Sequence, residues 1–310
     1  MRELSYKHQD LVLKRRGAQG SKRQIQDLQR DLRRLGYLRS GVDGKFGPGT
    51  ERAVKALQHD LLANDGKSNR ADGDAPIAII DYNRGRVADV DGEVDFGLAG
   101  CIGSLLHCSR YPKLPASQDP EEDNAQVRRQ IHSMKSQKVP VPFLMAILRQ
   151  ESGLKQFNEP HAPDEDSFVV VGLDTNAAEA HVITSRGYGA GQYTLFHHPP
   201  SHDEVADFIN DWKKNLKRAV KELRAKFDRF VNGPTSGTRA DDRTAEMGDG
   251  PLKICKYAAN DPLYMKDCLQ CAKDAGLEDI QSGVTPFYED AAHTYRPTQY
   301  YKTGSYKNVP

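Results

Sequence analysis

The sequence predicts a mainly helical chain of two domains, the second carrying a small β region. Three observations predict it. A helix and turn pattern occurs twice within the first hundred or so residues. A proline-rich break follows over residues 110–125. Beyond it lies an apolar helix ending in a glutamate, then two short β-type runs and a glycine-rich turn. A chain of 310 residues has room for about two domains. The boundary falls near residue 118, giving domains 1–118 and 119–310.

The first domain opens with S-K-R-Q-I-Q-D-L-Q-R-D-L-R-R-L-G. Ile25, Leu28, Leu32 and Leu35 form one apolar stripe at helical spacing. Ser21 suits the N-cap and Gly36 the end of that helix. V-D-G-K-F-G-P-G-T is a dense run of turn residues, and Thr50 is placed to cap a second helix whose Ala53, Val54 and Leu57 face inward. The turn recurs: Asp43-Gly44-Lys45-Phe46 aligns with Asp91-Gly92-Glu93-Val94, and Ala53, Val54 and Leu57 align with Cys101, Ile102 and Leu105. Two related halves thus build one helical domain. Between them, residues 64–90 are polar and irregular. Their one apolar run, Pro76 to Ile80, fits a short strand or a buried connection.

After the break comes an amphipathic helix over residues 125–136, then P-F-L-M-A-I-L-R-Q-E-S-G over 142–153. Pro142 fits a first helical turn and Gly153 a helix stop. Glu151 follows Leu148 by three residues and Ile147 by four, so it shares their face. Burial there favours the neutral carboxylic acid, which is the form a general acid needs. Equally, Glu151 marks where the helix leaves the core and meets water. S-F-V-V-V-G-L-D and A-H-V-I-T-S read as strands. Gly187-Tyr188-Gly189-Ala190-Gly191 lets backbone approach a ligand closely or adopt positive φ. The tail, 286–310, is rich in tyrosine and proline and is open to three readings: a strap, a glycan contact or a disordered segment.

Composition limits the function classes. No stretch has the length of a membrane helix, and the first residues lack the apolar core of a secretory signal, so the expectation is synthesis in the cytoplasm without membrane insertion. Net charge is +1, which argues against a general polyanion binder and hence against nucleic acid. Residues 1–58 are nevertheless basic, with fourteen Lys/Arg against six Asp/Glu. Cys268-Leu-Gln-Cys271 has metal or redox spacing, but no second close pair completes a zinc site, and disulfides or buried thiols fit the five cysteines better. The histidines His181, His197, His198 and His202 lack a carboxylate partner at metal-site spacing. No metal and no cofactor is expected.

L-Q-R-D-L-R-R-L-G-Y-L…D-G-K-F-G-P-G-T-E-R-A-V-K-A-L-Q closely resembles the peptidoglycan-binding domain of bacterial cell-wall hydrolases. The resemblance implies a three-helix module that places an enzyme on the wall, with Tyr37, Asp43 and Phe46 at the wall-binding turn. For Phe46 a place in the small core is the preferred reading. In the second copy Asp95-Phe96 replaces the usual Gly-Pro. A basic face suits a polymer whose peptide stems carry free carboxylates.

In the second domain the order of Glu151-Ser152, a small β element and Gly187-Tyr188-Gly189-Ala190-Gly191-Gln192 resembles lytic transglycosylases and goose-type lysozymes. Ala190 and Gly191 stand where that family has leucine and methionine. The resemblance implies a lysozyme-like α+β fold over roughly 125–262 that cleaves the MurNAc–GlcNAc bond. Glu151 then protonates the leaving oxygen. Ser152, Gly189, Gln192 and Tyr193 line the cleft, and Tyr257 in C-K-Y-A-A-N-D is the weaker counterpart of the family's active-site tyrosine. A hydrolase needs a second carboxylate, for which Asp174 is preferred over Asp164 and Asp166. A transglycosylase needs none, because the muramic acid 6-hydroxyl attacks internally. The expected partner is the glycan strand, with an immunity protein if the chain is a secreted antibacterial effector rather than a phage endolysin. The alternative is a non-catalytic wall-binding component with a decayed lysozyme-like domain.

Overall fold

The structure is a computed structural model. Its described residues are 3–17, 20–67, 77–111, 113–134, 148–149, 151–160, 167–195, 200 and 202–221. Two units divide the chain, Met1–Asp123 with Gln156–Asn215, and Asn124–Lys155 with Leu216–Pro310.

In the first unit, helix α1 (Lys22–Arg34) starts at Ser21, which exchanges hydrogen bonds with Gln24 in a capping box. Ile25, Leu28, Leu32 and Leu35 are all buried, as the stripe predicts. Gly36 ends the helix at a φ of 81°, a conformation that favours glycine. Helix α2 (Pro48–Ala63) begins earlier than Thr50. Gly47 is its N-cap and Pro48 its first residue, where the ring's fixed φ is already helical. Thr50 lies inside the first turn and is buried, so its expected capping role is corrected.

Ile77 and Ile79 are buried ahead of a short 3-10 turn, Ile80–Tyr82. Among its described residues the run from 76 to 80 is therefore a connection that buries Ile77 and Ile79 and leaves Ile80 exposed. Helix α3 (Phe96–His107) is capped by Asp95, whose carboxylate accepts the Leu98 N–H at 2.7 Å. The first turn enters its helix through Gly-Pro and the second through Asp-Phe. A side-chain cap replaces a proline start, and the helices begin in the same register.

One core joins these helices. The N-terminal segment belongs to it: Leu4, Tyr6 and Leu13 are buried, and Leu13 exchanges backbone hydrogen bonds with Val94. The stretch expected to link two domains is also built in. Tyr111 and Leu114 are buried, the Leu114 N–H donates to the Arg34 carbonyl, and β1 (Ala116–Ser117) pairs antiparallel with β2 (Ser167–Phe168). This pairing holds residues on both sides of the second unit's 124–155 segment in one sheet. The first unit thus contains 1–123 and 156–215, where the sequence predicts a single crossing near 118.

A second sheet has the order β3 (Val171–Thr175), β4 (Ile183–Tyr188), β5 (Tyr193–Leu195), antiparallel throughout. The run S-F-V-V-V-G-L-D divides between β2 and β3, and β4 begins later than A-H-V-I-T-S suggests and runs on into the glycine-rich stretch. Val171 pairs with Tyr188 and Tyr188 with Tyr193, and these side chains share a core with Leu114, Phe157 and Ile209. Two short helical pieces, His202–Glu204 and Val205–Asn210, follow. Residues 212–221 are helical.

Helix α4 (Pro120–Ser133) starts behind Asp119, which accepts the Glu122 N–H, and carries on into the second unit. Val127 and Ile131, one turn apart, are fully buried. Residues 148–149 and 151–152 are helical, and Gly153 and Leu154 both take positive φ to end that helix. The described chain is therefore helical with small antiparallel sheets. None of its helices is long and apolar enough to cross a membrane.

Candidate functional site

The repeated turns are fastened by a repeated device. Gln29 of α1 donates through Nε2 to Asp43 at 2.9 Å and to Thr50 at 3.0 Å, and its Oε1 accepts the Gly44 N–H at 2.8 Å. Gln58 of α2 donates to Asp91 at 2.6 Å and accepts the Gly92 N–H at 2.8 Å. Asp43 and Asp91 each accept the N–H two residues on, from Lys45 and Glu93. Gly44 and Gly92 both have positive φ, and a Cβ on either would press into the helix side chains beneath. Each turn is thus locked to the preceding helix by one buried carboxamide whose donor and acceptor are both satisfied.

A second pair repeats beside the first. The Tyr6 hydroxyl donates to Asp31 at 2.8 Å, and the Tyr37 hydroxyl to Asp60 at 2.7 Å. All four residues are buried. The sequence signal was available in Leu28-Gln29-Arg30-Asp31-Leu32 and Leu57-Gln58-His59-Asp60-Leu61, an L-Q-x-D-L pattern read only as helix. This geometry corrects the wall-contact roles expected at the first turn. Tyr37 is 1% exposed, so it offers no ring face to a sugar. Asp43 holds the turn, and Phe46 fills the core.

Residues 21–70 match the family model of the peptidoglycan binding domain. The match takes in α1, the first clamped turn and α2, and ends before α3. No curated protein and no solved structure matches the chain.

The peptidoglycan-binding domain is joined to the β3–β5 sheet through Arg186 of β4. Its side chain is 1% exposed. It donates to the Gly36 carbonyl at 2.6 Å and to Asp60 at 3.2 Å, and its guanidinium lies 4.5 Å from the centre of the Tyr37 ring. Burial, then the Asp60 charge, push the Tyr37 phenol well above its usual range, so it stays a donor. Burial likewise pushes Tyr188 up to about 12. His59 stands at the edge of this cluster. The Asp60 carboxylate, 3.8 Å from Nδ1, holds the imidazole above its ordinary pKa. At that distance the attraction is that of an ion pair rather than a hydrogen bond.

The glycine-rich turn is bound by its own protein. Gly189 has a φ of 70°, and a Cβ there would lie 2.4 Å from the Gln156 amide oxygen. Gln156 accepts the Ala190 N–H and donates to the Ile209 carbonyl, while Asn215 accepts the Gly191 N–H and donates to the Tyr188 carbonyl. Gln192 folds back to donate to the Gly189 carbonyl, and its amide oxygen lies over the facing pair Gly172 and Gly187. Tyr193 stacks on Phe208 at 4.5 Å and is 8% exposed. Gly189 takes the positive φ that the sequence predicts, and the close approaches to the glycines are made by Gln156 and Gln192, two of the protein's own side chains. Gln156 and Asn215 are buried residues that sequence reasoning missed, for each looks like a surface polar residue.

Asp174 is exposed on β3 and accepts the Ser185 hydroxyl at 2.6 Å. In the second unit Glu151 is exposed, which corrects the expected desolvation. Leu148 is buried on the same helical stretch, so the apolar face ends one turn before the carboxylate. The Ser152 hydroxyl donates back to the Leu148 carbonyl at 2.9 Å, a helix-end role. Asp164, Asp166, Tyr257, Cys255, Cys268 and Cys271 lie outside the described residues, as do His197, His198 and the tail. Cys101 and Cys108 are free thiols. Among the described residues no group of three metal-binding side chains converges.

Proposed function

We propose that this chain works on the bacterial cell wall, with the N-terminal domain binding peptidoglycan and the later region cleaving the glycan strand at the MurNAc–GlcNAc bond. The observation that supports it is the peptidoglycan-binding domain over residues 21–70, whose turn is fastened to α1 by Gln29, with the repeated turn beyond it fastened to α2 by Gln58. Glu151 is the general acid of this reading: it protonates the leaving glycosidic oxygen and, in a transglycosylase, takes a proton back from the 6-hydroxyl. In a hydrolase Asp174 is the second carboxylate. Glu151 is open to solvent, so bound glycan must supply the cover that excludes water from the acid. The chain reaches its polymer by release at phage lysis or by specialised secretion, and an immunity protein protects a producer in the second setting.

The exposure of Glu151, together with a glycine-rich turn whose N–H groups are held internally, favours one rival: a wall-binding component without catalysis. Mass spectrometry of the soluble fraction from purified sacculi separates the two. Fragments ending in 1,6-anhydro-MurNAc, lost in Glu151→Gln, support a transglycosylase. Reducing MurNAc ends lost in the same variant support a hydrolase. No fragments from the unaltered chain, or equal fragments from Glu151→Gln, remove Glu151 as the acid.

A further inference from the structure

We infer that the groove between the peptidoglycan-binding domain and the β3–β5 sheet takes the acidic, alanine-bearing peptide stem of peptidoglycan rather than its sugars. The inference rests on the wall-binding reading and names the part of the polymer recognised. The groove has a volume of about 380 Å³, within the roughly 300–1,000 Å³ usual for ligand sites. Its floor is apolar: Leu38, Ala53 and Ala56 from the domain, and Leu173 and Ile183 from the sheet. Alanines one turn apart on α2 leave the space that larger side chains would fill. Two arginines, Arg39 and Arg52, stand exposed at its edge beside Ser40. Among the described residues neither arginine is in an ion pair or in any other recorded polar contact.

Free guanidinium forks beside a methyl-sized apolar floor suit a ligand with carboxylates and short side chains. A stem peptide has both; the stem-bearing glycan offers methyl groups but no free carboxylate, because its lactyl carboxyl is amidated. The neighbouring cleft lined by His59, Asp65, Lys67 and Arg186 differs in this respect. There Asp60 pairs with Arg186 and Asp65 with Lys67 at 3.3 Å, so its charges answer one another. Four of the groove's contributors, Leu173, Thr175, Ala180 and Ile183, come from beyond the matched family segment. The site is thus a property of this chain's sheet as well as of the domain.

The test is calorimetric titration of the full chain with N-acetyl-L-Ala–γ-D-Glu–L-Lys–D-Ala, and with the same peptide carrying amides in place of its two carboxylates. The acid form should bind, more weakly as salt rises. The amide form, Arg39→Gln and Arg52→Gln should each weaken binding roughly tenfold. Both positions are exposed, and circular dichroism melts check that the variants fold. Equal binding of acid and amide forms, or unchanged binding by both variants, overturns the assignment. A chain that sediments with sacculi but ignores the peptide loses the groove and keeps the wall-binding reading. A chain that binds neither loses both.

Discussion

Replacing Arg186 by methionine leaves the Asp60 carboxylate buried without its cation. Both groups are shielded from water, with Arg186 1% and Asp60 6% exposed. The pair therefore escapes the screening that makes surface ion pairs weak. Removing one partner of a buried pair costs about 3–5 kcal/mol, because the remaining charge is uncompensated. The Gly36 carbonyl also loses a donor at 2.6 Å. For a unit of this size the loss corresponds to a fall in Tm of roughly 6–20 °C. Replacing both groups, as Arg186→Met with Asp60→Leu, should recover part of the loss, since hydrophobic pairs of similar volume often match buried ion pairs, while the buried Tyr37 hydroxyl loses its Asp60 acceptor. Urea titration of the four proteins in the cycle measures the coupling. A single-variant loss below about 1 kcal/mol, or simple additivity in the cycle, refutes the reasoning.

Three further outcomes are expected. Gln58→Ala leaves the Gly92 N–H and the Asp91 carboxylate without their shared partner, so it should destabilise by about 1–3 kcal/mol in urea; a change within about 0.5 kcal/mol contradicts the clamp. Gly189→Ala combines a positive φ with a Cβ meeting the Gln156 amide, and should cost more than about 1 kcal/mol, whereas Ala at Gly47, where nothing lies within 4 Å, should be far milder. Because His59 has a raised pKa in the fold, its contribution is complete below about pH 6.5 and fades as pH rises through the folded value. Melting curves between pH 6 and pH 8 should therefore show a small decline that Gln at position 59 flattens; an identical profile in that variant contradicts the Asp60 pairing.

What was legible in the sequence was local. The α1 stripe, the two turns and the burial of Ala53, Val54, Cys101 and Ile102 follow from spacing within a few residues of each other. So does the Asp95 start of α3, once the turn is recognised as a repeat. Interactions across long separations were not legible. Asp60 looks like a surface acid on an amphipathic helix, and Arg186 like an outward residue on a strand; only their meeting, 126 positions apart, makes each necessary. Gln156 and Asn215 were hidden for the same reason, since a polar residue gives no sign in sequence of the backbone it satisfies. Tyr37 was misread, while the core reading preferred for Phe46 holds, because aromatic rings beside turns serve cores and sugars alike. Burial separates these, and burial here places Tyr37 and Phe46 inside.

The central claim is that this chain binds peptidoglycan through its N-terminal domain. Co-sedimentation of the purified chain with purified sacculi over a range of loads tests it most directly. Saturable recovery in the pellet is the predicted result. A chain that stays in the supernatant at every load contradicts it.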